Sequence, residues 1–154
     1  MNQKKAQYKQ KHKVRSSTPR QESKEEFSFL DTGYYRDQNK EILREDLIVE
    51  HADRLGKEFV EKRPKLTSAQ LRKFFNDVHA LKAKVEYIGF DNQRPMIKML
   101  KSKVAYAKGR DKIPAEFKNF IDACVDKIED KKDFEGFIKF FESVVGFYYF
   151  YGGK

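Results

Sequence analysis

Three polar side chains in the middle of the sequence have the types and spacing of a site that handles phosphate. Arg72, Asn76 and His79 are four and three positions apart, so on a helix they share one face. A histidine there could act as a general base on a ribose hydroxyl, while an arginine stabilises the phosphate. Arg72 also follows the start of a predicted helix, where free backbone amides favour an anion. This face is therefore a candidate for cleaving a phosphodiester or for binding one.

An arginine and a histidine with six residues between them resemble the R-x4–6-H signature of the metal-independent HEPN ribonucleases. That resemblance implies catalysis by Arg72 and His79, with the histidine as base. This sequence departs from the family at Lys73, where those enzymes commonly have Asn, Asp or His. A binding face without catalysis is the preferred interpretation, and a HEPN-like ribonuclease is the alternative.

The other reactive residue types form no catalytic or metal-binding pattern. Cys124 is the one cysteine, and its place on an apolar stripe predicts a buried thiol rather than a nucleophile. The three histidines, His12, His51 and His79, are too widely spread to indicate a metal site. The carboxylates lie in lysine-rich stretches, which favours helix capping or solvation. We predict that the protein is not an enzyme and has no cofactor or metal site.

Positive charge is concentrated in two stretches of the chain. The 154 residues include 33 basic and 24 acidic side chains, a net charge of +9. Residues 1–26 carry +5 and residues 65–110 carry +8, whereas residues 27–64 and 111–154 each carry −2. A cationic stretch in a folded region favours a polyanion, because each Lys or Arg at a phosphate releases counterions. The pattern favours RNA or DNA as a partner over a merely solvated surface.

From residue 41 onward, apolar residues recur at steps of three and four, the period of an α-helix. The first predicted apolar stripe consists of Ile48, Ala52, Leu55 and Phe59. Thr67 and Gln70 form a capping-box pattern at the start of the clearest amphipathic helix. The next helix is predicted to begin near Pro95 and to end at Gly109, and Asp133 is the predicted N-cap of the last. No strand pattern is convincing. The predicted fold class is all-α, a compact bundle of about five helices with short loops.

The first 40 residues do not follow this pattern. Residues 1–26 contain one strong core former, Val14, and are predicted to be a disordered basic tail. Residues 27–40 are an irregular lead-in segment around Gly33, either a strap that docks on the fold or a short irregular stretch. Residues 41–154 are the predicted helical domain. No run of about 18 apolar residues and no secretory signal is visible, so we expect a cytoplasmic protein without membrane contact.

Aromatic residues are concentrated at the C-terminus. Residues 134–151 hold nine of the 22 aromatic side chains, and residues 147–151 are consecutive aromatics. One helix face cannot bury five consecutive side chains, because they point in all directions around the axis. Either the last helix is buried on all sides, or part of this block faces a partner or stacks on bases.

Three blocks in series resemble a known protein family. They are TSAQLRKFFNDV (residues 67–78), MLKSKVAYAKGR (residues 99–110) and FIKFFESVVGFYYFYGGK (residues 137–154). Their order, their spacing and the closing GGK are similar to the small subunit of type III-A CRISPR effector complexes, the Csm small subunit. The resemblance covers roughly residues 67–154.

The resemblance implies an all-helical, non-catalytic protein of RNA-guided antiviral defence. Several copies would associate as an inner filament beside the Csm backbone subunits and the large signature subunit. Members of the family contact the duplex of CRISPR guide RNA and target RNA, chiefly on the target strand. Contacts to the RNA backbone are independent of sequence, which suits a complex in which base pairing reads the target.

The resemblance also implies which residues contact RNA. The family's basic and polar motif positions fall on Gln70, Arg72, Lys101, Lys103, Tyr106 and Arg110. At Phe75 the family commonly has Tyr, so one hydroxyl contact is lost. On the predicted third helix, Lys101 and Lys108 flank one side of the apolar stripe, and Lys103, Tyr106 and Arg110 flank the other. Lys108 therefore completes the predicted RNA-binding set.

Overall fold

The architecture is all-α, as predicted. A computed structural model describes residues 17–154, and no β-strand forms within them. Across those residues, no helix combines the length and the apolar character that crossing a membrane requires. The α-helices of this part of the chain are α1 (Pro19–Glu26), α2 (Ala52–Glu61), α3 (Ser68–Ile88), α4 (Phe90–Lys98), α5 (Leu100–Gly109), α6 (Ala115–Asp126) and α7 (Lys131–Phe150).

Helix α7 packs against α2 and α3, α5 packs against α6, and α4 packs against α3. The core between them is rich in phenylalanine. The ring centroid of Phe120 lies 5.5 Å from those of Phe59 and Phe140, and all three rings are fully buried. Each such ring contributes about 1.5–3 kcal/mol by leaving water. The concentration of aromatics in the sequence is therefore explained first by the core.

Helix α1 lies inside the stretch predicted to be a disordered tail. Pro19 occupies its first turn, and the Thr18 backbone N–H donates to Gln21 Oε1 over 3.2 Å. The helix buries no residue. The tail prediction is therefore corrected over Pro19–Glu26, where local capping supports a helix without a core. Residues 1–16 of the predicted tail lie outside the described residues.

Residues 27–46 form a strap that packs on the helices. Phe27, Leu30 and Tyr34 are buried, and the Tyr34 hydroxyl donates to the Cys124 carbonyl oxygen of α6 over 2.6 Å. Gly33 turns the chain with φ of 76°, a conformation that other residues rarely adopt. Of the two interpretations that the sequence left open for this segment, the docked strap is the one observed.

A π-helical turn, Leu47–His51, precedes α2 and changes the predicted apolar stripe. A π turn contains an extra residue and so shifts the register of the residues before it. Leu47 is fully buried, whereas Ile48 is only partly buried. Ala52 and Phe59 are buried as predicted. The prediction was wrong for Ile48 because it assumed an unbroken α-helical period.

Helix α3 begins as predicted. The Gln70 N–H donates to Thr67 Oγ1 over 3.2 Å, which caps the helix. Gly89 ends it with φ of 94°, and α4 begins at the next residue. The single helix predicted from Pro95 to Gly109 is therefore two helices, α4 and α5, and Pro95 lies within α4. Within the described chain, six α-helices follow residue 41 instead of five.

The N-cap of α7 is Asp130 rather than the predicted Asp133. The Asp130 carboxylate accepts from the Asp133 N–H over 2.8 Å. Asp133 lies in the first turn and is buried, with its Oδ2 2.9 Å from the Lys40 ammonium. Two aspartates three residues apart both fit a cap in sequence. Lys40 of the strap contacts both carboxylates, at 2.6 Å from Asp130 and 2.9 Å from Asp133, so it stabilises this helix end as a whole.

The C-terminal residues fold back on α7. Tyr148 is fully buried, and its hydroxyl donates to the Leu66 carbonyl oxygen over 2.7 Å. Gly153 lies so close to the Tyr148 ring that a Cβ there would come within 2.2 Å of it. Close packing against Tyr148 therefore explains why the second glycine of the closing GGK is a glycine. Tyr149 and Phe150 remain 42 % and 76 % exposed, so only part of the terminal aromatic block is buried.

Candidate nucleic-acid interface

A groove of about 570 Å³ runs between the first half of α3 and the length of α5. The N-terminal cap of α3 and the packing of α5 on α6 fix its two walls. Phe74 of α3 and Ala107 of α5 are buried side chains that contribute to the groove, and polar side chains beside them line the rest of it. The lining residues are Gln70, Lys73, Phe74, Asp77, Ser102, Lys103, Tyr106, Ala107, Arg110 and Lys112.

Cations dominate the titratable groups that line this groove. The groove has a single carboxylate, Asp77, and four cationic side chains: Lys73, Lys103, Arg110 and Lys112. Lys103 Nζ lies 3.4 Å from Asp77 Oδ2, and both side chains are partly exposed, 46 % and 32 %. Exposed ion pairs of this kind contribute only about 0–1 kcal/mol. Lys103 can therefore leave Asp77 for a phosphate at little cost, and the groove as a whole attracts anions.

Tyr106 of α5 and Arg110, which caps the C-terminal end of that helix, lie four positions apart and contact each other. Arg110 Nη1 donates to the Tyr106 hydroxyl over 3.0 Å, and its guanidinium carbon lies 5.5 Å from the ring centroid. Tyr106 is nevertheless 65 % exposed. The groove thus presents an aromatic ring beside two cations, a combination that suits RNA.

The structure brings together four of the seven predicted RNA-binding residues. Gln70, Lys103, Tyr106 and Arg110 line the groove. Lys73 and Lys112 line it too and were not in the predicted set. Lys112 lies beyond α5, where Asp111 adopts a left-handed conformation with φ of 53°. Helical periodicity does not predict the position of a residue that follows such a turn, so Lys112 could not be predicted from the sequence.

The other three predicted residues lie elsewhere. Lys101 lines a second groove, between α1 and α6, and its ammonium contacts the Asp126 carboxylate over 2.5 Å. Lys108 Nζ lies 3.5 Å from Asp111 Oδ1. These two lysines therefore face carboxylates on the side of α5 away from Lys103, as their spacing along the helix requires.

Arg72 and His79 both face α7 but have different partners. Arg72 Nη2 lies 3.5 Å from the Tyr149 hydroxyl, and His79 Nε2 lies 3.6 Å from Glu142 Oε1. Those partners are seven residues apart on α7, roughly 10 Å along the helix axis. In this structure the arginine and the histidine therefore contact separate groups of α7.

The remaining reactive groups have structural surroundings. Burial raises the pKa of the Cys124 thiol well above its usual range, because a thiolate is disfavoured away from water. The residue lies in the core, as predicted. In residues 17–154, no group of three or more His, Cys, Asp or Glu side chains is arranged to hold a metal ion.

Comparison with known protein families identifies a match over most of the chain. The family model described as Csm2 Type III-A matches residues 43–154. No curated protein and no solved structure matches the chain significantly. The matched range covers α2 to α7, and it includes the three sequence blocks and both walls of the groove. The chain therefore belongs to the Csm2 family, the non-catalytic small subunit of the type III-A Csm complex.

Proposed function

We propose that this subunit binds RNA through the groove between α3 and α5, without reading its sequence. In the assembled complex it would support the duplex of CRISPR guide RNA and target RNA during antiviral defence in the cytoplasm. The observation that carries the proposal is the composition of the groove, in which four cations face one carboxylate. Cationic side chains hold the phosphate backbone and leave the bases to the guide.

The predicted residues contribute unequally to this function. Lys103 and Arg110 are the principal phosphate contacts, because both line the groove and their side chains reach solvent. Lys101 and Lys108 would first have to leave Asp126 and Asp111. Arg72 lies on the α7 side, so any RNA contact it makes belongs to a different stretch of the strand.

Other surfaces are proposed for protein partners. Tyr149 and Phe150 are exposed at the end of α7, and exposed aromatic patches are typical of subunit interfaces. We assign this end to contacts with the Csm backbone subunits, the large signature subunit or the next copy in an inner filament. The strap is docked on α6 and α7. We therefore extend the folded domain from residue 41 back to residue 27.

Reconstituted Csm complexes carrying a Lys103→Gln and Arg110→Gln double variant test this proposal. Target RNA affinity, measured by filter binding, should fall about 10- to 100-fold, because two charge-assisted contacts are lost. The loss should be the same for unrelated target sequences paired with their own guides. Lys57→Gln is the matched control, since Lys57 is exposed on α2 outside the groove; it should bind normally. Normal target binding by the double variant would contradict the proposal.

A further inference from the structure

One aromatic ring in the groove is more exposed than a fold-stabilising tyrosine needs to be. Tyr106 is 65 % exposed, whereas Tyr34 and Tyr148 are fully buried and donate to backbone carbonyl oxygens. Tyr106 has no such role, because its hydroxyl accepts from Arg110 at the surface. Its ring nonetheless lines a groove in which four cationic side chains accompany a single carboxylate.

The orientation of this ring is restrained. Arg110 contacts it in two ways, through the 3.0 Å hydrogen bond to the hydroxyl and through the guanidinium 5.5 Å from the ring centroid. The two residues are four positions apart, with Arg110 as the C-cap of α5, so their side chains lie side by side at the end of this helix. A restrained ring loses less conformational freedom when a ligand stacks on it. Its exposed surface is therefore ready for a flat partner.

We infer that Tyr106, supported by Arg110, stacks on one unpaired RNA base, while Lys103 and Lys112 hold the neighbouring phosphates. This inference rests on the proposed RNA-binding function and specifies the form of RNA that the groove takes. Aromatic side chains surrounded by cations bind single strands regardless of sequence, because every base has a π-face. Bases inside a regular duplex are already stacked on one another and cannot reach the ring. The groove therefore binds the strand where a base is unstacked.

Oligonucleotides with and without bases test the inference. The full chain is titrated, by fluorescence anisotropy at low salt, into a labelled 12-nucleotide oligouridylate and into an abasic ribose-phosphate chain of the same length. The wild type should bind oligouridylate about 5- to 100-fold more tightly than the abasic chain. Tyr106→Leu should lose this preference and bind both alike, whereas Tyr106→Phe should retain it, because the ring and not the hydroxyl does the stacking.

Two controls separate stacking from charge and from non-specific effects. Lys103→Gln should weaken binding of both chains by the same factor, because it removes a phosphate contact only. Tyr87→Leu removes a tyrosine that is 90 % exposed on α3 outside the groove, and it should leave both affinities unchanged. A blunt RNA duplex should bind wild type and Tyr106→Leu equally.

The outcomes distinguish failure of this inference from failure of the proposed function. If the wild type binds both chains equally, or if Tyr106→Leu keeps the preference for oligouridylate, then base stacking on Tyr106 is wrong. Backbone binding through the groove would stand in either case, provided that Lys103→Gln weakens binding. If the wild type binds neither chain at low salt, both the stacking and the groove function are wrong.

Discussion

The strap and the groove both contain cationic side chains, but they use them differently. In the strap, Arg44 Nη1 lies 2.7 Å from the Phe29 carbonyl oxygen and 2.8 Å from that of Gly33. Its Nη2 lies 2.6 Å from Asp46 Oδ2. In the groove, Arg110 contacts a tyrosine on its own helix, and Lys103 lies 3.4 Å from its carboxylate. Arg44 of the strap is therefore engaged by the fold, whereas the groove cations are open to a ligand.

This difference shows why the number of cations in a stretch of sequence is an incomplete guide to function. Lys40 illustrates the point, since its ammonium lies 2.6 Å from Asp130 and 2.9 Å from Asp133. The strap comes from a stretch with net charge −2, where Lys40 and Arg44 have acidic or carbonyl partners. Residues 65–110 carry +8, so most cations there lack an acidic partner. The excess charge, rather than the number of cations, points to the stretch that holds the proposed binding surface.

The largest expected effect is on the strap. Arg44→Gln should lower the free energy of unfolding by about 2–3 kcal/mol, because two part-buried carbonyl oxygens and Asp46 lose a charged donor. Urea denaturation at pH 7 measures it. Arg36→Gln is the matched control: Arg36 is an exposed arginine of the same strap, and its loss should cost less than about 0.5 kcal/mol. Equal losses in the two variants would show that Arg44 has no special role.

Acid should act on the same contact with a smaller effect. Hydrogen bonding to the Arg44 guanidinium holds the Asp46 pKa below its usual value. A lowered pKa in the folded state gives stability that is complete above the unfolded-state value of about 3.9 and is lost as pH falls through the folded value. The wild type should therefore lose stability between about pH 5 and pH 2. Arg44→Gln should show a shallower dependence in urea titrations across that range, and parallel curves would contradict the assignment.

A smaller effect is expected from the one carboxylate of the groove. Asp77→Asn should tighten RNA binding by roughly two- to fivefold at low salt, because it releases Lys103 and removes repulsion of phosphate. Fluorescence anisotropy with oligouridylate measures the change. Asp91→Asn, which alters an exposed carboxylate on α4 outside the groove, is the control. Weaker RNA binding by Asp77→Asn would mean that Asp77 orients Lys103 rather than competing for it.

The smallest effect is expected for the stability of a groove variant. Lys103→Gln should change the free energy of unfolding by less than about 0.5 kcal/mol, because its ion pair is exposed. The same urea titrations compare it directly with Arg44→Gln. A loss as large as that of Arg44→Gln would remove the contrast between the strap and the groove.

The helices were predictable from the sequence because their apolar stripes are long. Leu71, Val78 and Val85 of α3 are all buried as the period requires. Local departures from that period were not predictable. Because of the π turn before α2, Leu47 is the residue buried in the core instead of the predicted Ile48. The left-handed residue after α5 is Asp111 rather than glycine. Such departures depend on tertiary packing, which helical periodicity does not describe.

The site was predicted in part for the same reason. Lys103, Tyr106 and Arg110 share one face of α5, so their spacing alone placed them together. Grouping them with Arg72 required knowing which side of α3 faces α5. The sequence gives no direct signal for that, and Arg72 faces Tyr149 of α7 instead. Which residues share a face of one helix could therefore be read from the sequence, whereas grouping residues of different helices needed the structure.

The salt dependence of RNA binding tests the central claim most directly. For oligouridylate and the full chain, the slope of the logarithm of the binding constant against the logarithm of salt concentration counts the phosphates that are neutralised. Lys103→Gln should reduce the magnitude of this slope by about 0.7, the value for one contact to a single strand, and Lys57→Gln should leave it unchanged. An unchanged slope for Lys103→Gln would contradict the claim that the groove holds the RNA backbone.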